Sequence, residues 1–154
     1  MTFTFFDQAA IELSIQRINE ILNASILFEY NAWPRPPLFN SALIEVMICL
    51  RNLMFHCDKI GSRIDFEDDI NKTSKVNDIT DLIKHVRDAV CHLESPNHRI
   101  GNNVITFNLY TSDADNDVGI DFGEQIIYLR RHIIRAFGEA KSVLTPLLPQ
   151  RFNY

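Results

Sequence analysis

Hydrophobic positions recur at helical spacing along most of the chain. The first such stretch runs from about Asp7, a predicted N-cap, to about Phe28, and one of its faces carries Ile11, Ile15, Ile18 and Leu22. The prolines between Trp33 and Pro37 end any helix. The second stretch, from about Asn40 or Ser41 to about Ile60, is apolar almost all round, which predicts a helix buried on most faces and ended by Gly61.

A third helix is predicted to begin after Asp78, an N-cap that has Asp81 three residues later. Its apolar positions continue to Leu93, and the segment 95–97 stops it. The acidic and polar segment between the second and third helices, residues 65–77, is typical of a solvated loop.

The pattern changes after this third helix. Residues from Asn103 to Tyr110 alternate between apolar and polar, and Val118 to Phe122 can return as a second strand after a turn. From about Gly123 the helical spacing resumes until Pro146. We therefore predict a mainly all-α chain: a single domain over residues 1–154, built as a four-helix up-down bundle with a small β-hairpin insertion before the last long helix.

Composition narrows the class of protein. The chain has 154 residues, of which 46% are hydrophobic, enough for a core without disulfides or metals. Three cysteines without zinc-site spacing favour a reduced, cytoplasmic protein, and no apolar run is long enough for a membrane span. The net charge of −5 argues against coating of nucleic acid by bulk positive charge. The acidic excess falls mostly in residues 1–80, so the net charge does not exclude a narrow, locally basic cleft.

Candidate chemistry lies on the third helix. At about 100° per residue, Arg87, Asp88 and His92 share one polar stripe with Lys84 and Cys91. Asp88 and His92 are four residues apart, so the carboxylate can orient the imidazole. Arginine holds phosphate oxygens bidentately and histidine moves protons near neutral pH, so this pair suits a phosphoryl centre.

The segment from Asp81 to Ile100, DLIKHVRDAVCHLESPNHRI, resembles the R-[N/D/H]-xxx-H motif of the HEPN superfamily. Chain length and the predicted helices agree with that resemblance. It implies an all-helical, metal-independent endoribonuclease without cofactors, found in toxin-antitoxin or phage-defence systems. It also implies a homodimer in which two motifs form one active centre, with RNA as substrate and a cognate antitoxin protein as a partner.

The resemblance assigns a role to each motif residue. Arg87 would stabilise the charge that builds on the phosphate, and Asp88 would fill the polar second position. His92 would be general base or acid, giving a 2′,3′-cyclic phosphate. Two alternatives stay open: a non-catalytic HEPN-like module that binds nucleotide, RNA or a partner protein, and a helical scaffold with an incidental Arg/His pair.

A second copy of the pattern runs from Arg51 to His56 on the second helix. Its sector is more apolar than that of the third helix, so we interpret Arg51 and His56 as a supporting pair, with direct catalysis the less favoured role.

Other basic residues are weaker candidates for RNA contacts: Lys84, His98, Arg99, Arg130, Arg131 and Arg135. A solvated face paired with acidic neighbours explains the three arginines of the last helix equally well.

Three further patterns have simple structural explanations. Residues 113–124 partly match a calcium-binding loop, but Val118 occupies the position that needs glycine, so an acidic hairpin tip is favoured. His85 is predicted to lie on the surface, away from the helix-end site. Cys91 beside His92 makes a poor thiolate-imidazole pair, because adjacent helical residues diverge by about 100°.

Overall fold

The computed structural model describes residues 3–28, 38–92, 94–100, 103–104, 108–112 and 117–149. The described chain is mainly helical, with small antiparallel sheets. The helices are α1 (Phe5–Asn23), α2 (Phe39–Lys59), α3 (Ile79–Cys91) and α4 (Arg135–Leu144). The strands are β1 (Arg99–Ile100), β2 (Asn103–Val104), β3 (Asn108–Ser112), β4 (Asp117–Phe122) and β5 (Gln125–Tyr128).

Helix α2 is the centre of the molecule, as its all-round apolar pattern predicts. It packs against α1, α3 and α4, and its residues Leu43, Met47, Leu50, Leu53 and Met54 have no exposed surface. Gly61 follows this helix at φ +76°, a left-handed conformation that costs glycine little and ends helices often.

Helix α1 begins earlier than predicted. Its N-cap is Thr4, whose hydroxyl accepts a hydrogen bond from the amide of Asp7, while the Asp7 carboxylate accepts from the Thr4 amide. Asp7 is therefore the third residue of a capping box and not the cap that we predicted. The helix also ends earlier, at Asn23, and a 3-10 turn (Ile26–Phe28) follows. The proline segment 33–37 lies outside the described residues.

Helix α3 begins as predicted. The Asp78 side chain caps it by accepting from the amide of Asp81 at 2.9 Å. Arg63, which the sequence did not single out, donates to the carboxylates of Asp78 and Asp81 at 2.8 Å each and joins α3 to the end of α2 through Asp58.

The predicted hairpin is present as β3 paired with β4, and its tip, residues 113–116, lies outside the described residues. The expectation that a helix starts at about Gly123 is wrong. Residues 125–128 instead form β5, which pairs with β4 through a two-residue turn with Gly123 at φ +61°. The helical part of this region is a π-helical segment (Leu129–Ile134) that continues into α4.

Asp117 joins the sheet to this last helix. Its side chain is 1% exposed, and it accepts hydrogen bonds from the amides of Arg130 and Arg131 at 2.8 and 2.9 Å. These amides lie in the first turn, where a helix has no internal acceptors, so the buried carboxylate replaces the missing partners. Asp117 was noted in the sequence only as part of an acidic loop.

His132 holds the acidic loop against the same segment. Its Nδ1 accepts from the Tyr128 amide at 3.1 Å, and its Nε2 lies 2.9 Å from the carbonyl oxygen of Asp68. This pairing requires the neutral ring with its proton on Nε2. Burial lowers the pKa of His132, in keeping with that requirement.

We expect Asp117→Asn to lower the free energy of unfolding by about 1–3 kcal/mol. The new amide would turn an N–H toward one of the two helix amides and leave a buried donor without an acceptor. Denaturant unfolding followed by circular dichroism measures the change. Asp65→Asn is the matched control, because Asp65 is exposed. A loss no larger than that of the control would contradict the capping role.

Stability is also expected to fall as the pH drops below about 6.5, the ordinary pKa of histidine. Burial lowers the pKa values of His56, His85 and His132, so the folded chain binds these protons less readily than the unfolded chain. Their contribution is therefore complete above the unfolded pKa and is lost toward lower pH. Thermal unfolding between pH 7.5 and 5 tests this, and His132→Asn should flatten the dependence. An unchanged slope in that variant would contradict it.

Candidate functional site

The three motif residues of α3 lie at the carboxyl end of the helix. Arg87 and Asp88 are half-buried, and Nη1 of Arg87 lies 2.6 Å from Oδ1 of Asp88. The Asp88 carboxylate thus holds the neighbouring guanidinium, whereas the sequence predicted a pairing of Asp88 with His92 through helical spacing. One face of the guanidinium is fixed, and its remaining N–H groups can meet another anion.

His92 is the C-cap residue of α3 and is exposed. The helix ends at Cys91, two residues before the predicted end, and the backbone of His92 is extended. The direction that we assigned to His92 from helical geometry therefore does not apply. Its imidazole lies at the surface just after the helix, where a substrate can reach it.

A groove of about 480 Å³ opens between α1, α2 and α3. Three arginines from three helices line it, Arg17, Arg51 and Arg87, and we call it the arginine groove. Arg17 is paired with Glu45 and Arg87 with Asp88. Among the described residues, Arg51 makes no hydrogen bond or ion pair.

The pKa of Arg51 reflects its half-buried position beside Arg87. Burial lowers its pKa, and the positive charge of Arg87 lowers it further, while Asp88 acts in the opposite direction. A half-buried guanidinium without a carboxylate partner is unfavourable in a folded protein unless another group offsets it. An anion bound between Arg51 and Arg87 would do so, since each can donate several N–H groups.

The second copy of the motif is divided between groove and core. Arg51 lines the arginine groove, but His56 is buried with its ring packed edge-on against Phe3 and Phe55. Its Nδ1 has no hydrogen-bond partner among the described residues, and burial lowers its pKa. Asn52 donates to the Ala10 carbonyl and the Ser14 hydroxyl and so ties α2 to α1.

The weaker candidates lie in several places. Lys84 is exposed and borders a cavity on another face of α3. Arg130 lies over the Phe28 ring. Arg131 and Arg135 pair with Asp69 and Asp68 at 2.8 Å each, so the acidic loop that we predicted as solvated is anchored to the last helix. These pairs favour the structural explanation for Arg131 and Arg135 over RNA contacts. The side chains of His98 and Arg99 lie outside what the structure describes.

The remaining candidates also have defined surroundings. His85 is half-buried and not simply on the surface, and its Nε2 is enclosed with no hydrogen-bond partner within the described ranges. Cys91 is exposed, while burial raises the pKa values of Cys49 and Cys57 to about 11 and keeps both thiols protonated. Within the described residues, no group of three or more metal-ligating side chains is found, and no helix is long and apolar enough to cross a membrane.

Comparisons of the chain with protein-family models, with curated proteins and with solved structures gave no match.

The absence of an acidic partner for Arg51 predicts an unusual response to mutation. Arg51→Gln should change the free energy of unfolding by less than about 0.5 kcal/mol, or raise it, because the variant removes a partly desolvated charge that faces Arg87. Arg63→Gln is the matched control and should cost about 1–2 kcal/mol, because it breaks the ion pairs with Asp78 and Asp81. Denaturant titration of both variants measures this. Equal losses would show that Arg51 is an ordinary structural arginine.

Proposed function

We propose that this chain is a metal-independent endoribonuclease of the HEPN type. In this proposal Arg87, Asp88 and His92 cleave RNA by attack of a ribose 2′-hydroxyl. The observation that carries it is the arginine groove. There Arg51, which has no hydrogen bond or ion pair among the described residues, lies near Arg87 on the helix that His92 caps.

The arginines of the arginine groove are the reason that we assign a phosphodiester as the substrate. Arg17 and Arg87 are each paired with a carboxylate, so Arg51 provides the positive charge that attracts an anion to the groove, although the whole chain has a net charge of −5. Arg87 is held by Asp88 and is therefore preorganised for charge that develops on the phosphate. Arg51 would bind the adjacent non-bridging oxygens or the next phosphate.

Histidine supplies the proton transfers. His92 of one copy takes the proton of the 2′-hydroxyl, and the 2′-oxygen forms a bond to phosphorus. The bond from phosphorus to the 5′-oxygen breaks, and the leaving oxygen receives a proton from His92 of the second copy. The products are a 2′,3′-cyclic phosphate and a 5′-hydroxyl end. The exposed position of His92 permits this exchange between copies.

A homodimer is part of the proposal. Three large apolar side chains border the arginine groove and remain exposed: Leu13 (48%), Ile48 (43%) and Phe55 (50%). Apolar surface of this kind is typical of sites that another chain covers. A second copy packed there would bring its own motif to the same groove. Within each copy, the proposal has α1, α3 and α4 arranged around α2 as an up-down bundle.

The resemblance supplies the biological setting of the proposal. A HEPN-type ribonuclease of this size would act in the cytoplasm as a toxin or phage-defence effector, and a cognate antitoxin protein would be its partner. The same groove suits the second candidate function, a module that binds nucleotide or RNA without cleaving it. The Arg87–Asp88 pair within one chain agrees instead with the helical scaffold that carries an incidental Arg/His pair, because it neutralises part of the charge on Arg87.

The test is cleavage of a labelled RNA by the full chain with EDTA present. His92→Ala should lower the rate by about 100-fold or more, the usual contribution of a general acid or base. Arg87→Lys keeps the charge but loses bidentate donation and should also lower the rate. Lys72→Ala, an exposed lysine paired with Glu67, is the control and should cleave normally.

Each alternative gives a different result. RNA binding without cleavage by the unmodified chain supports the binding module. Cleavage that survives His92→Ala, or that requires a divalent metal, rejects the proposed mechanism. Sedimentation of the same samples completes the test, because a monomer with full activity would be incompatible with a shared active centre.

A further inference from the structure

A second groove, of about 460 Å³, lies beside α3 and is lined mainly by polar residues. Its walls come from the loop residues Thr73, Ser74 and Lys75, from His85 and Asn97, and from Gln125 of β5. We call it the polar groove. Arg51 and Arg87 do not line it, so it is separate from the arginine groove.

Gln125 carries the strongest indication of a ligand. Its side chain is 1% exposed, and its Nε2 donates to the carbonyl oxygen of Asn71 at 2.8 Å. That bond fixes the orientation of the amide, so the other atom is the acceptor oxygen Oε1. Oε1 is buried and has no hydrogen-bond partner in the part of the chain that the structure describes. Buried acceptors without partners are rare in folded proteins, and each calls for an explanation such as a bound donor.

His85 presents a second unsatisfied atom to the same groove. Its Nε2 is enclosed and has no hydrogen-bond partner among the described residues. Burial lowers the pKa of His85 and favours the neutral ring, while backbone hydrogen bonds to Asn97 and Phe122 act in the opposite direction. A neutral imidazole has one donor and one acceptor nitrogen, so the groove combines the fixed acceptor of Gln125 with a ring nitrogen whose polarity is set by the backbone hydrogen bonds of the ring to Asn97 and Phe122.

The polar groove also leads toward the proposed catalytic residues. A neighbouring cavity of about 370 Å³ shares Lys75, His85 and Asn97 with it and extends along α3 to Asp88. Asp88 in turn contacts Arg87. A group bound in the polar groove would therefore lie on the same side of α3 as Asp88. Asp88 contacts the guanidinium of Arg87, which we assign to phosphate binding.

We propose that the polar groove binds an RNA base that carries an exocyclic amino group: adenine, cytosine or guanine. The amino group would donate to Oε1 of Gln125, and an adjacent ring nitrogen or carbonyl would pair with His85. Uracil fits less well, because its one edge N–H is flanked by two carbonyl oxygens, which would face the Gln125 acceptor. Only the assignment of the base to RNA rests on the proposed function.

The charges around this groove balance, which favours a neutral base over a phosphate as its occupant. Lys75 and Glu124 line the polar groove, and Lys75, Lys84, Asp81 and Asp88 line the neighbouring cavity. The carboxylates offset the lysines, so no net positive charge is left to attract an anion. The two sides of α3 therefore differ, with guanidinium groups along one and mixed polar groups along the other.

The experiment measures binding of AMP, CMP, GMP, UMP and ribose 5-phosphate to the full chain by calorimetry. We expect AMP, CMP and GMP to bind, UMP to bind about tenfold more weakly, and ribose 5-phosphate to bind more weakly still. Gln125→Met and His85→Phe should each weaken AMP binding about tenfold. Gln16→Met is the control and should leave it unchanged, because Gln16 is exposed and bonded to Glu20 on α1. Circular dichroism verifies that each variant is folded.

RNA is distinguished from free nucleotide by titrating the His92→Ala variant with oligo(A) and oligo(U). An RNA base is supported as the occupant if the His92→Ala variant binds oligo(A) more tightly than oligo(U). The double variant His92→Ala with His85→Phe should lose this preference. Equal binding of AMP and ribose 5-phosphate, or AMP binding unaffected in folded His85→Phe, overturns the inference. The outcome is independent of catalysis: base-selective binding without cleavage keeps the polar groove and rejects only the ribonuclease.

Discussion

Helix α2 is apolar on nearly every side, and such a helix is stable in water only when other elements cover it. Helices α1, α3 and α4 do so, and the side chains that fill the space between them have almost no exposed surface. This single requirement fixes where α3 runs, and therefore where Arg87, Asp88 and His92 lie. It also brings Arg51, on the covered helix itself, to the seam between α2 and α3, where it meets Arg87.

Most arginines that the structure describes are paired with carboxylates, and Arg51 is the half-buried one that is not. Arg63 holds α3 to the end of α2 through Asp78 and Asp81, and Arg131 and Arg135 hold the acidic loop to the last helix. Asp68 and Asp69 belong to the loop that the sequence suggested was solvated, whereas Asp78 and Asp81 were predicted at the start of α3. Arg51 has no such partner among the described residues, although it is half-buried. A fold that pairs its structural arginines so thoroughly gains nothing in stability from this one, which is the reason to assign it a ligand.

Local signals determined how much of this could be predicted from the sequence. Strong periodicity and a side-chain cap gave the start of α3 at Asp78, and the apolar surface of α2 gave its central position. The residues of β5 were misassigned because Ile126 and Leu129 fit a helical spacing as well as a strand, and only pairing with β4, a tertiary contact, decides between them. The pattern could not reveal Gln125 either, because its significance depends on burial and on the bond to Asn71.

Helix α3 borders both the arginine groove and the polar groove, because its faces pack against different elements. Arg87 lines a seam between helices, where burial and like charge favour a bound anion, and His85 lines a groove whose loops and strand supply mixed polar groups. Asp88 lies between them and contacts Arg87 directly. A base held beside Asp88 would limit the distance between the phosphate of the same nucleotide and the guanidinium of Arg87, because only a ribose separates that base from its phosphate. Specificity and catalysis would then depend on the same thirteen-residue helix, whose position is set by the burial of α2.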